Sequence, residues 1–371
     1  MRCISLLLLP LAACTPGTRE RIEPSFISVA ITSGSTGTAE EPQAFNSEPV
    51  SYGITVSTSD VNGAAYAFNG DLNLTVRPGK FSEDPIITLS DGTWSGNVSF
   101  EDGFGPTRIW ATDEGDRDED STRVPSFAAG VSEAIYFAYP TISEMQATDD
   151  PETNQLANEF AELRVSDREV IVIARDPAGF WAQDIADDVG TGNSVFVYTF
   201  NRPDDEYEVG AQLTQLNGIN QEYLASTQLS YPTLGVTGAI YDAPAAVELT
   251  TCDEAELELL EASRVVVTGG VVPDTFTPES EDYLDYETYG QWPLAYGDCT
   301  VYVESGSTAQ DFLPTEYVGQ TLGSVSGMLK QIYSKWVMVI VDEADIAAGP
   351  TPPPQTSQGR PARAARPPES R

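Results

Sequence analysis

Between residues 26 and 112 the chain is cut into short apolar runs by dipeptides that turn a backbone sharply, a spacing that leaves little besides antiparallel sheet. The runs are FISVAIT from Phe26, VSYGITV (50–56), AAYAF (64–68), DLNLTV (71–76), IITL (86–89), TWSGNVSF (93–100) and TRIWAT (107–112). Between them stand a polar loop at 33–47 and the pairs Asn62-Gly63, Asn69-Gly70, Pro78-Gly79, Asp91-Gly92 and Asp102-Gly103. Glycine takes positive φ without a steric cost and Asn or Asp tolerates it, so such pairs close tight turns. Runs of this length with turns this frequent predict an antiparallel sandwich. Trp94 and Trp110 are expected in its core, because a large aromatic ring buries more apolar area than any other side chain.

The same texture continues to residue 346, and long amphipathic helices are nearly absent. With 40% hydrophobic residues a core can be buried, and 30 Gly and 26 Pro supply turns throughout. The expected class is all-β: a β-sandwich over 25–141, small β-barrels over 142–250 and 251–346, and a disordered Pro/Arg tail over 347–371. The first region resembles the immunoglobulin-like domains of bacterial surface proteins, most clearly in DVNGAAYAFNGDLNLTVRPG. One helix is expected at 254–262. Asp253 would cap it, Glu256 would complete a capping box, and Leu257 and Leu260 would face inward.

The first seventeen residues, MRCISLLLLPLAACTPG, place one charge (Arg2) before an apolar run and small residues after it. That is the layout of an export signal, and the run is too short to span a bilayer, which takes about 20 residues. Leu11-Ala12-Ala13-Cys14 resembles the lipobox of bacterial lipoproteins. The resemblance implies cleavage after residue 13, lipid on Cys14, a lipidated stalk at 14–24 and membrane attachment, two acyl chains being enough for stable anchoring. Thr15 rather than Asp follows the cysteine, which favours the outer membrane or cell surface. Of the four cysteines, Cys3 lies within the signal and Cys14 carries lipid, leaving Cys252 and Cys299. Outside the reducing cytosol these two are expected to pair, closing a loop whose entropic contribution is roughly 4 kcal/mol.

A second resemblance lies between residues 142 and 230. Gly179-Phe180-Trp181-Ala182-Gln183-Asp184, Ser194-Val195-Phe196-Val197-Tyr198, Val209-Gly210-Ala211-Gln212-Leu213 and Gln221-Glu222-Tyr223 with Thr227-Gln228-Leu229 are similar, in order and spacing, to the OB-fold-like domain that accompanies secreted bacterial nucleases. It fades over 259–269 and 318–346, which implies a second, similar barrel or half-barrel. In those nucleases the domain is an accessory, and hydrolysis belongs to a separate domain with histidine and metal-binding carboxylates.

Chemistry is bounded mainly by exclusion. The chain contains no histidine, so histidine-based acid–base catalysis, Ser-His-Asp and Cys-His nucleophiles and histidine-ligated zinc are all ruled out. The formal net charge is −38, the only lysines are Lys80, Lys330 and Lys335, and four arginines fall in the tail. An acidic body repels phosphates at long range, and the basic groove of a single-strand-binding OB-fold is missing, so nucleic acid is a disfavoured partner. Acidity also suits solubility, salty surroundings or calcium. The run DEGDRDED offers Asp113, Asp116, Asp118 and Asp120 as candidate calcium ligands, but an EF-hand loop would want Gly at 121 and Glu at 127, where the chain has Ser121 and Phe127. With 57 acidic residues some carboxylate pair always exists, so a glycosidase-like pair carries no signal.

Candidate ligand contacts are therefore aromatic: Trp181, Phe196, Tyr198 and Tyr223 in the first barrel, and Tyr286, Tyr289 and Trp292 in EDYLDYETYGQW (281–292), which reads equally as an exposed recognition loop or as a long β-connection held by a Cys252–Cys299 bridge. The expectation is a lipid-anchored, extracytoplasmic, non-enzymatic protein with a binding or structural role and a glycan or protein ligand. The alternatives are a nucleic-acid-binding accessory of an extracellular nuclease system and a carboxylate-based hydrolase.

Overall fold

The structure is a computed structural model describing residues 25–348, apart from 84, 114–126, 149–152, 189 and 306–307. The lipobox with Cys14, the tail, and Asp116, Asp118 and Asp120 lie outside the described residues. The chain divides into two compact units, 1–137 and 138–371.

The first unit contains β1 (Ser25–Ser33), β2 (Val50–Ser59), β3 (Gly70–Arg77), β4 (Lys80–Phe81), β5 (Ile86–Leu89), β6 (Thr93–Glu101), β7 (Gly105–Asp113), β8 (Phe127–Ala128), β9 (Gly130–Val131) and β10 (Ile135–Phe137). They form two sheets, β4-β6-β2-β1-β8 and β10-β7-β3-β5, with β9 on β7. This is an Ig-like β-sandwich. Alternation supplies its core: Tyr52, Ile54 and Val56 from one sheet meet Leu72, Leu74, Val76, Ile109 and Ala111 from the other. The Asp91-Gly92 pair turns with φ of 49° and 78°, both positive, as a two-residue turn between strands requires. Two expectations fail here. AAYAF forms no strand: its one bridge joins Ala65 to Ser59, and Tyr66 and Phe68 pack on Phe127. Trp110 is 36% exposed, because alternation that buries Ile109 and Ala111 turns the residue between them outward. Trp94 is partly buried against the core.

The second unit opens with a one-turn helix, α1 (Ile142–Met145), whose Thr141 and Glu144 form a capping box. It continues with β11 (Phe160–Glu162), β12 (Val170–Asp176), β13 (Gly179–Asp184), β14 (Ser194–Tyr198), β15 (Ala211–Tyr223) and β16 (Ser226–Ile240). The sheet runs β11-β15-β12-β13-β14-β16, and β16 pairs back onto β15, which closes a barrel. Counting its five closing strands from β12, the circular order is 1-2-3-5-4, with strands 3 and 5 parallel. That is the OB arrangement, a five-stranded Greek-key barrel.

The same order follows at once in β17 (Val247–Glu248), β18 (Arg264–Thr268), β19 (Gln291–Tyr296), β20 (Cys299–Glu304), β21 (Ser324–Ile332), β22 (Lys335–Val339) and β23 (Ile346–Ala347). Here β20 and β22 are the parallel pair, and the barrel is completed by single bridges from Val271 to Ala295 and Thr321. The repeat extends to register. In the first barrel Tyr223 faces Ser226; in the second Ile332 faces Lys335, each residue 109 positions on. At that same offset Gly210 and Gly319 both hold positive φ, and a Cβ on either would lie within 2.3 Å of an oxygen, that of the Tyr241 carbonyl or of the Asp274 carboxyl.

Two helices distinguish the second barrel. The first, α2 (Glu254–Glu258), is shorter than expected and continues only as turns. Asp253 caps it and Leu257 and Leu260 are buried, but the capping box is not completed: the Asp253 N–H donates to Thr251 Oγ1 instead. The second, α3 (Glu281–Tyr289), replaces the recognition loop expected there. Ser280 caps its start, and Gly290 ends it at φ 76°. Cys252 and Cys299 are joined, with Cα atoms 5.5 Å apart, tying the approach to α2 to the β19–β20 hairpin.

Candidate functional site

The aromatic residues of β14 stand at every second position, so Phe196, Tyr198 and the following Phe200 share one face of the strand. Trp181 on β13 lies directly opposite Phe196. The rings form a ladder: Trp181 to Phe196 at 4.9 Å between centroids, Phe196 to Tyr198 at 6.5 Å, Tyr198 to Phe200 at 4.4 Å and Phe200 to Tyr231 at 4.7 Å. One end is buried. Trp181 and Phe196 pack with Ile171, Ile173, Ala262, Met328 and Val339 in a cluster drawn from both barrels. The other end is open: Phe200 is 45% exposed and Tyr231 is 70% exposed.

Backbone geometry displays those last two rings. Phe200 has φ 64° and Tyr231 has φ 54°. A bulky aromatic residue in the left-handed region is uncommon and costs on the order of 1–2 kcal/mol, a strain that persists only where the surroundings fix it. They do so here. Thr199 Oγ1 donates to the Ala178 and Asn201 carbonyls, and Arg175 donates to the Pro203 and Asp204 carbonyls. Beneath lies Tyr207, stacked on the fully buried Phe180 at 5.6 Å with 7° between planes.

These residues line an open groove of about 580 Å³ together with Asn201, Arg202, Asp204, Pro232, Thr233 and Leu234. Burial, aided by Glu206 and Asp204, pushes the Tyr207 phenol up from its ordinary value, so it stays neutral at physiological pH. The groove thus offers aromatic faces, a neutral hydroxyl, one guanidinium and carboxylates on its rim. It is equipped to stack and hydrogen-bond. Its sequence signal was the period-two run Phe196-Tyr198-Phe200; that Tyr231 joins it depends on the parallel pairing of β14 with β16, which no local pattern encodes.

The other sequence candidates are dispersed. Trp181 is 3% exposed and Trp292 0%. Trp292 donates its indole N–H to Ser305 Oγ and packs on Phe312, so both tryptophans are core residues, not ligand platforms. Tyr286 packs against Phe276 in the second core. Tyr223 and Tyr289 are exposed, the one at the tip of the β15–β16 hairpin and the other at the end of α3, and neither adjoins the groove. Asp113 ends β7. Among the described residues no group of three or more Asp, Glu or Cys side chains is arranged to hold a metal ion.

A cluster of carboxyls that sequence reasoning missed lies between the barrels. Glu261, fully buried, accepts hydrogen bonds from the backbone N–H of Thr227 at 3.1 Å and of Gln331 at 3.5 Å. Burial above all, then Glu258 and Glu222, pushes it up to about 8. Glu258 is pushed up to about 7 by burial, Glu222 and Glu254. Glu222 is raised by burial although Thr227 and Asn154 donate to it. Glu261 thus joins the two barrels by accepting from a backbone N–H of each.

No family model matches the chain, and no curated protein does. Among solved structures it is similar to the solution NMR structure of a CARDB domain from Pyrococcus furiosus, at 11% identity over 31% of this chain and 97% of that chain, with a TM-score of 0.19. No helix among the described residues is long and apolar enough to cross a membrane.

Proposed function

We propose that the protein is a lipid-anchored, extracytoplasmic, non-catalytic binding protein, and that the groove of the first barrel is its contact surface. The observation that carries the binding role is the strained display of Phe200 and Tyr231, since strain is retained where a site needs it. The lipobox-like Leu11-Ala12-Ala13-Cys14 supports the location. A glycan or a protein suits the groove, and nucleic acid does not, because phosphates would approach a body of net charge −38.

The test has two parts. Metabolic labelling with a fatty-acid analogue is expected to mark the wild-type chain and not Cys14→Ser. The full chain carrying Cys14→Ser is then applied to glycan, peptide and single-stranded DNA arrays, with and without calcium. Ligand capture that falls at least about tenfold in Phe200→Ala/Tyr231→Ala is expected, as for truncation of an interface hot spot. Salt-sensitive retention of DNA in place of that result would replace this reading with the nuclease-accessory one.

A further inference from the structure

The groove opens where β16 loses one of its two partners. As far as Ser230 the strand is paired on both edges. Phe196, Val197 and Tyr198 of β14 face Gln228, Leu229 and Ser230 on one side, and β15 lies on the other. Beyond Ser230 the pairing with β15 runs on to Ile240, whereas among the described residues no strand takes the place of β14. A bulge makes the change. Ser230 faces Ile219 and Thr233 faces Asn217, so Tyr231 and Pro232 together stand opposite Gly218. A bulge bends its strand, re-aims its side chains and ends pairing, and the positive φ of Tyr231 belongs to it. Phe200, also at positive φ, turns the other chain away just past the last pair.

One wall of the groove is therefore an unpaired strand edge, and none of residues 231–240 is buried. Open edges pair with other chains, and proteins guard them with proline and kinks. Guards stand here at both ends. Pro232 lacks an N–H, and Gly238 turns at φ 79° beside Thr237, whose hydroxyl accepts from the Ala239 N–H. Between them Thr233, Leu234, Gly235 and Val236 stay open, and the first two line the groove. The opposite wall offers the rings of Phe200 and Tyr207 and a run of exposed acids, Asp204, Asp205, Glu206 and Glu208, against one exposed cation, Arg202. A strand edge presents N–H and C=O groups in alternation. A peptide backbone repeats that alternation and a glycan does not, so the edge selects a peptide. The side chains of an added strand point alternately to two sides, one for the rings and one for the acids.

We infer that the groove takes an extended peptide from a partner protein, with basic residues at alternate positions, which adds as a strand to β16 beside residues 233–236. Its basic side chains lie along Asp204, Asp205 and Glu206, and its apolar ones rest on Phe200 and Tyr231. The inference rests on the groove being a binding surface and names what that surface binds.

The test applies the full chain with Cys14→Ser to arrays of peptides of about six residues, the usual strand length, in which lysine alternates with Val, Ile, Phe or Tyr. Matched peptides carry glutamate for lysine, and a glycan array runs in parallel. Capture of the best lysine peptides is expected to exceed that of their glutamate counterparts at least about tenfold, and to fall by a similar factor at high salt or in Asp204→Asn/Asp205→Asn/Glu206→Gln. Those three side chains are exposed, so the variant keeps the fold. Methylating one set of alternate backbone nitrogens in the peptide is expected to abolish capture and methylating the other set to leave it, because an added strand bonds through one edge. Hydrogen exchange of the amides at 233–236 is expected to slow several-fold on binding. No capture of any lysine peptide would overturn the inference, as would capture indifferent to which nitrogens are methylated. Protection of 233–236 that is present without peptide and disappears on dilution would also overturn it, making the occupant a second copy of the chain. Glycan capture that depends on Phe200 and Tyr231, with no peptide captured, would sink the strand and leave the binding site standing.

Discussion

The two barrels share strand order, parallel closure and hairpin register, yet only one presents an open aromatic groove. At the 109-residue offset, the position of Tyr231 is taken by Ile340, which is 1% exposed. Both barrels pair strands 4 and 5 as a hairpin, β15–β16 and β21–β22, but the first joins strands 1 and 2 through the β12–β13 ladder and spends the far end of β16 on displaying a ring. The second closes through single bridges at Val271 and gains a disulfide, α3 and a tyrosine-rich core in which Tyr283 and Tyr286 pack on Phe276. The topology is therefore a frame. Which barrel binds is decided by whether aromatic residues at the strand 3 and strand 5 ends point into a core or out of it.

The comparison is broken most forcefully at its matched cores. Phe180 opposite Val197 and Trp292 opposite Val303 hold the same register position, and both are fully buried. Phe180→Ala and Trp292→Ala are each expected to cost about 3–5 kcal/mol in urea unfolding, with Trp292→Ala the worse because Ser305 also loses its indole partner. A loss under about 1 kcal/mol at either would show that the barrels are not equivalent frames.

Next is closure. Cys252→Ser/Cys299→Ser is expected to cost about 4 kcal/mol on the loop-entropy account. Near-UV circular dichroism and urea melts under reducing conditions would report it, and a drop below about 1 kcal/mol would remove the covalent tie as a distinguishing feature.

The carboxyls between the barrels make their contact sensitive to pH. Glu258 and Glu261 hold their protons more tightly folded, at about 7 and about 8, than unfolded near 4.5. Between those values the native state binds more protons than the unfolded chain, so stability falls as pH rises. Their contribution is fully present below about pH 4.5 and is lost as pH climbs through 7 to 8. The thermal midpoint is expected to fall between pH 5 and pH 9, and less steeply in Glu258→Gln. A flat profile in the wild type would mean the carboxyls are ionised and otherwise compensated.

The smallest effect sharpens the contrast at the groove. Tyr231→Asn places at φ 54° a residue that tolerates it, so stability should move by no more than about 0.5 kcal/mol while ligand capture is lost. A large destabilisation would make Tyr231 a structural residue.

Much of this frame was readable from residues. β5 falls on IITL itself, β2, β3, β6 and β7 contain their predicted runs, and the Cys252–Cys299 pair follows from assigning the other two cysteines. The OB likeness found the first barrel through Gly179-Phe180-Trp181 and Val209-Gly210, positions set by close backbone approach and local strand register. Failures came where local composition and tertiary context disagree. AAYAF has strand propensity but no partner strand, and 281–292 begins with a Ser280 cap and ends on Gly290, helix signals outweighed in the reading by its tyrosines. The site was half legible: period two gave Phe196 and Tyr198, whereas Tyr231 and Glu261 acquire their roles only from pairings more than thirty residues apart.

The shared register has a consequence for assembly. Two hairpins with the same turn and the same parallel docking site are, to the backbone, interchangeable, and tandem repeats misassemble by such exchange. Side chains supply the discrimination. Seating β22 on the first barrel would bring Trp336 to the place of Thr227, a fully buried position whose N–H the Glu261 carboxyl accepts. Sequence divergence between the repeats thus acts as proofreading: the chain reuses one frame while its side chains reject the wrong copy of each strand.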